Sequence, residues 1–163
     1  MVERVVVNAS PMIALLGIGQ EGLLPALFDK VLIPEAVREE IAAGRAKDAN
    51  ADRIATLTWL STAPAVPIPE SVQGWGLGRG ESSVLAIAAA ESGCRPILDD
   101  LAARRCARFL GLTVMGTGRL LVLAKQRGLI GSVREPLDRL TAQDFRMSER
   151  LIAKLLHAAG EGR

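Results

Sequence analysis

The chain has 163 residues, 49% of them hydrophobic and 23% charged, with a mean hydropathy of +0.25, which excludes an intrinsically disordered protein and sets the length for one ordinary core. Its apolar runs are broken by Asn, Pro, Glu or Arg well before the ~18 residues a membrane helix needs, so a soluble cytoplasmic protein is expected. The net charge of +2 permits a polyanion partner without requiring one, and the low aromatic content argues against a nucleic-acid reader built on stacked rings.

The element pattern alternates strands and helices. Val5-Val6-Val7 is a short β-branched run bounded by Asn8-Ala9-Ser10-Pro11; it predicts a buried parallel strand, then a helix over Pro11–Leu16 with Ser10 as its N-cap. A short helix over Glu21–Phe28, a strand over Val31–Ile33 and a helix from Pro34 to Gly44 follow. The apolar pair Met12 to Leu27 is compatible with a homodimer. Asp48–Leu60 carries a helical period, and the Pro- and Gly-rich stretch Ser61–Gly80 predicts a short strand and a loop. A helix from Glu81 to Glu91, a strand over Pro96–Leu98, a helix over Ala102–Leu110, a strand over Leu112–Met115 and a helix from Thr117 to Gly128 complete the alternation. Two further helices, Ser132–Leu140 and Ser148–Leu156, form an extension over residues 132–158 of a single domain 1–163. The second has an apolar stripe on a basic helix; both are expected to cover the sheet. The alternation predicts a three-layer α/β/α sandwich with a mainly parallel sheet.

In such sheets ligands bind beyond the carboxyl ends of the strands. Polar residues stand there after three strands: Asn8, the pair Asp99 and Asp100, and Gly116-Thr117. Glu40 and Glu81 complete a set that the sheet could bring together. Each has a structural alternative: Glu81 at a helix N-terminus, Asp100 as a cap, Glu40 paired with Arg45. With one histidine, His157, and two cysteines, Cys94 and Cys106, read as buried free thiols, a metal site would use oxygen ligands, which favours Mg2+ or Mn2+. Arg104, Arg105 and Arg108 follow Asp100 on one helix and are candidate RNA phosphate contacts, as are Ser10 and Thr117 beside the strand ends; a solvated helix face is the alternative for the arginines.

The stretches Val5-Val6-Val7-Asn8-Ala9-Ser10-Pro11, Ile33-Pro34-Glu35-Ala36-Val37-Arg38-Glu39-Glu40-Ile41, Gly80-Glu81-Ser82-Ser83 and Leu98-Asp99-Asp100 with Ala103-Arg104 together resemble a PIN domain. The resemblance is to a prokaryotic branch related to VapC-type toxins, and it runs from about Val5 to Leu156. It implies a metal-dependent ribonuclease held inactive by an antitoxin, with Asn8, Glu40, Glu81 and Asp100 at the family's acidic positions, Asp99 as an alternative to Asp100, and Glu39 as a weaker competitor of Glu40. Crowded carboxylates would share Mg2+ or Mn2+, which makes a bound water easier to deprotonate for attack on RNA, leaving a 5′-phosphate and a 3′-hydroxyl. Asn8 departs from the family pattern, which has Asp there, so a catalytically weakened module that binds RNA or a partner is the alternative. A nucleotide-binding reading of Gly74–Gly80 lacks a preceding strand and a Gly-Lys-Ser/Thr ending, and an aspartyl-phosphate phosphatase lacks an acid at Asn8.

Overall fold

The computed structural model describes residues 2–44 and 51–162. Four strands, β1 (Arg4–Val7), β2 (Lys30–Pro34), β3 (Leu60–Ala63) and β4 (Cys94–Ile97), form an all-parallel sheet in the order β3-β2-β1-β4. The helices are α1 (Ala9–Gly17), α2 (Leu23–Leu27), α3 (Glu35–Ala43), α4 (Glu70–Gln73), α5 (Arg79–Ala90), α6 (Leu101–Phe109), α7 (Thr117–Gln126), α8 (Arg134–Ala142) and α9 (Glu149–Ala158), with a 3-10 turn at Ala51–Thr56. This is the three-layer α/β/α architecture expected from the alternating pattern. The first three strands step outward in one direction, and the connection through α5 returns past them to β4, so the strand order reverses between β1 and β4.

The central strands are covered on both faces, which is why their sequences are continuous rather than alternating. Val5, Val6, Val7, Val31, Leu32, Ile33, Ile97 and Leu98 are all buried. So are Met12, Leu15, Leu16, Leu23, Leu24 and Leu27 of the early helices. The apolar face that suggested a homodimer is therefore occupied by the chain's own core. Leu137, Leu140, Leu155 and Leu156 join that core, and α9 packs on α7. The approach is close enough that a Cβ on Gly118 would collide with Leu155. Cys94 and Cys106 are buried and free; burial is the chief cause that pushes the Cys94 thiol up to about 11.

Three expectations need correction. The helix α1 begins at Ala9 with Asn8, not Ser10, as its N-cap residue, and no side chain caps it. Pro11 is tolerated because it stays in the first turn, where its missing N–H is not needed. The Asp48–Leu60 helix is replaced, over its described part, by the 3-10 turn and the start of β3, where Leu60 pairs with Val31 in parallel register. Arg45 and the first residues of that expected helix, 48–50, lie outside the described residues. Finally, Leu112–Met115 is not a strand but a single bridge from Met115 to Ile97. Leu98 donates its N–H to the Met115 carbonyl at 2.9 Å, and Met115 donates to the Pro96 carbonyl at 3.0 Å. The next rung would need an N–H from Pro96, which has none, so the ladder stops.

Candidate metal and phosphate site at the β1–β4 crevice

The reversal between β1 and β4 opens the crevice where ligands of parallel sheets bind. Asn8 stands at the end of β1 and its backbone N–H donates to the Ile97 carbonyl at 3.1 Å, which places it at the switch. Its carboxamide is buried, and among the described residues Oδ1 has no hydrogen-bond partner. A buried acceptor left without a partner costs about 1–3 kcal/mol, which makes this oxygen a candidate ligand position.

Gly80, in the first turn of α5, shows what surrounds that oxygen. A Cβ built there would lie 3.4 Å from Asn8 Oδ1 and 3.3 Å from Val37 Cγ2, and would collide with Glu40 Oε2. The Asn8 carboxamide and the Glu40 carboxylate, from β1 and α3, thus face one gap that exists because residue 80 has no side chain. Glu39, the neighbouring candidate, points elsewhere: its Oε2 accepts from Arg79 Nη1 at 2.9 Å in an exposed ion pair. Glu81 accepts the Gly78 N–H at 3.0 Å and so holds the start of α5.

Across the crevice the acidic pair divides its duties. Asp99 accepts both the backbone N–H and the hydroxyl of Thr117, at 2.8 and 2.6 Å. Burial pushes its carboxyl above the ordinary carboxylate range, against the pull of those two bonds and of Arg104. Asp100 is exposed and uses Oδ2 to accept the Ala103 N–H at 2.9 Å as N-cap of α6. Thr117 is fully buried, with its hydroxyl spent on Asp99; an RNA contact there would have to break that bond. Arg104 crowds Asp99 over Gly116, where a Cβ would meet Asp99 Oδ1 at 3.2 Å and Arg104 Nη1 at 3.4 Å.

Asp99 and Arg104 also wall a cavity of about 200 Å3 with Arg119, Arg146, Phe145 and Met147. Arg105 and Arg108 lie exposed on α6, and Ser10 lines a separate hollow with Gln143 and Phe145. A hollow of about 520 Å3 between Pro34, Val66, Leu77 and Ser83 includes none of the five candidate ligands.

Among the described residues, no three His, Cys, Asp or Glu side chains stand together as a metal-binding group. The Asn8 and Glu40 oxygens still fit a hard cation. Mg2+ keeps several of its waters and is held by one or two carboxylates with substrate phosphates, rather than by a full protein cage. Sequence reasoning gave Gly80 no role, although the pair Gly80-Glu81 was in view. Only the fold shows that the glycine, as well as the acid, shapes the gap; Arg119 and Arg146 as cavity walls also came only from the fold.

Among the described residues, no helix is long and apolar enough to cross a membrane. No curated protein matches the chain. A family model described as a PIN domain matches residues 4–161, nearly the whole sequence, in agreement with the parallel sheet and the crevice at its switch point. PIN domains are typically metal-dependent nucleases, and this chain belongs to the PIN domain family.

Proposed function

We propose that the chain is a Mg2+- or Mn2+-dependent endoribonuclease, related in role to VapC-type toxins and acting in the cytoplasm with an antitoxin as its regulatory partner. The observation that carries the reading is the unpartnered Asn8 Oδ1, buried beside the Glu40 carboxylate in the gap over Gly80. Asn8 and Glu40 would hold the ion, with Glu81 from the first turn of α5 and Asp100 from the N-cap of α6 each offering the carboxylate oxygen not spent on its helix start. When bound, a divalent cation supplies Lewis-acid polarisation of the phosphate and a water that loses its proton more readily.

The chain's own groups have separate tasks. Glu40, exposed and in no ion pair among the described residues, is the group available to accept a proton from the attacking water. Arg104, whose Nε is buried and without a hydrogen-bond partner among the described residues, holds a phosphate and balances its charge. Arg105 and Arg108 steer the polyanion along α6. Asp99 is a positioning residue, locking α7 to the end of β4 through Thr117. A homodimer, if formed, uses a face other than the buried Met12–Leu27 pair.

The test is cleavage of single-stranded RNA by the purified protein with Mn2+. The wild type is expected to yield 5′-phosphate ends and to stop on chelation, while Glu40→Gln is expected to lose activity about 100-fold. Cleavage that survives chelation, or that Glu40→Gln leaves intact, would overturn the reading. A second reading, a PIN domain that binds RNA or a partner without cutting, is favoured by one observation: an amide stands at position 8, where it brings no charge to the ion. Metal-independent RNA binding without cleavage is the result that selects it.

A further inference from the structure

We propose that Trp75 and Phe109, with Arg105 and Arg108, form a base-stacking subsite for single-stranded RNA at the end of α6 away from the candidate metal site. The proposal rests on the reading of RNA as substrate and adds where the strand is held. The chain has only two Trp, three Phe and no Tyr. Two of these rings nevertheless meet at the surface, with centroids 6.0 Å apart and planes tilted by 54°. Phe109 is 71% exposed, which a packing role does not explain. A single exposed ring is ordinary; a touching pair flanked by arginines is a different matter, because aromatic faces and guanidinium planes are what unpaired bases and their phosphates bind.

The surroundings fit that occupant. Leu101, Arg105, Arg108 and Phe109 share one face of α6 at helical spacing, and all four are exposed. The opposite face buries Ala103, Cys106 and Ala107 in the core. Among the described residues neither Arg105 nor Arg108 has an ion-pair partner, so both charges are free for phosphates.

The patch also lies on a path from the site. Asp100 caps the start of α6 and Phe109 ends it, a run of about 13 Å at ~1.5 Å per residue. That is roughly four nucleotides at the ~3.4 Å spacing of a stacked strand. From the other wall, the glycine-rich loop runs back from Glu81 through Gly78 to Trp75. Two segments that leave the candidate site separately therefore meet again at the aromatic pair.

The experiment measures anisotropy of a labelled oligouridylate of about eight nucleotides, with chelator present so that cleavage plays no part. An abasic chain of equal length is the comparison. Phe109→Ala and Trp75→Ala, each on a surface position, are expected to weaken oligouridylate binding roughly ten-fold while leaving the abasic chain's weaker binding unchanged. Equal affinity of wild type and variants for oligouridylate overturns the proposal, as does an equal loss for both probes. A shift from dimer to monomer in sedimentation, with RNA affinity unchanged, would make the patch a self-association face instead. A wild type that cleaves RNA while the variants bind as it does refutes the patch alone. A wild type that binds no RNA refutes the substrate reading with it.

Discussion

The two walls of the β1–β4 crevice handle polar groups in opposite ways. On the β4 wall, Asp99 and Asp100 are satisfied within the chain by Thr117 and by the start of α6. On the β1 wall, Asn8 Oδ1 is buried with no donor among the described residues, and Glu40 is drawn against a glycine. Satisfied carboxylates at strand ends build the scaffold, whereas an unsatisfied buried oxygen stores a cost that a ligand can relieve. The same residue types, read from sequence as one equivalent set, thus divide into a holding wall and a binding wall.

The sharpest way to break this contrast is at Gly80. Gly80→Ala is expected to push the Glu40 carboxylate out of the gap and to lower Mn2+-dependent cleavage about ten-fold. Stability should change by no more than ~1 kcal/mol, because alanine is the better helix former and Glu40 can swing aside, while buried Val37, 3.3 Å from the new Cβ, must give by a few tenths of an ångström. Cleavage rates and urea melts of one preparation check both halves; unchanged activity would remove Gly80 from the binding wall.

On the other wall the expected effect is on stability. Thr117→Val leaves the half-buried Asp99 carboxylate without its hydroxyl donor and should cost about 1–3 kcal/mol near neutral pH. Asp99 has a raised carboxyl pKa in the folded chain, so its favourable contribution is full below the ordinary Asp value and is lost as pH rises through the folded value. The penalty of Thr117→Val should therefore shrink as pH falls into the range where Asp99 is protonated. Denaturation midpoints at several pH values would show it, and a pH-independent penalty would contradict it.

A smaller effect is expected far from both walls. Glu161 accepts from the Val133 N–H at 2.7 Å, Lys125 Nζ and Ser132 Oγ at 3.0 Å and the Arg134 N–H at 3.2 Å. Gly160, at φ +75, permits the turn that brings it there. Burial alone would raise its pKa, but these bonds outweigh burial and lower it to about 2. The resulting stability is present above the ordinary Glu value and fades as pH falls toward about 2. Glu161→Gln should cost about 1 kcal/mol near neutral pH and nothing at the acid end, as thermal melts across that range would register.

Much of the fold was legible because its strands are unbroken aliphatic runs and its helices end at glycines. What escaped notice depended on partners distant in sequence. Nothing local at Leu112–Met115 reveals that Pro96 withholds the second rung, and the 3-10 turn with β3 replaces a helical period because Leu60 pairs with Val31. The acidic positions could be named from order along the chain. Which carboxylate is spent internally could not, since Thr117 stands 18 residues from Asp99. The Trp75–Phe109 contact was equally hidden, and the low aromatic count argued against it.

The proposed cation lies between Asn8 and Glu40. Calorimetric titration of Mn2+ into wild type and Asn8→Asp reads that placement without relying on cleavage. A carboxylate at position 8 is expected to tighten binding about ten-fold, and an affinity indistinguishable from wild type would mean that residue 8 does not face the metal.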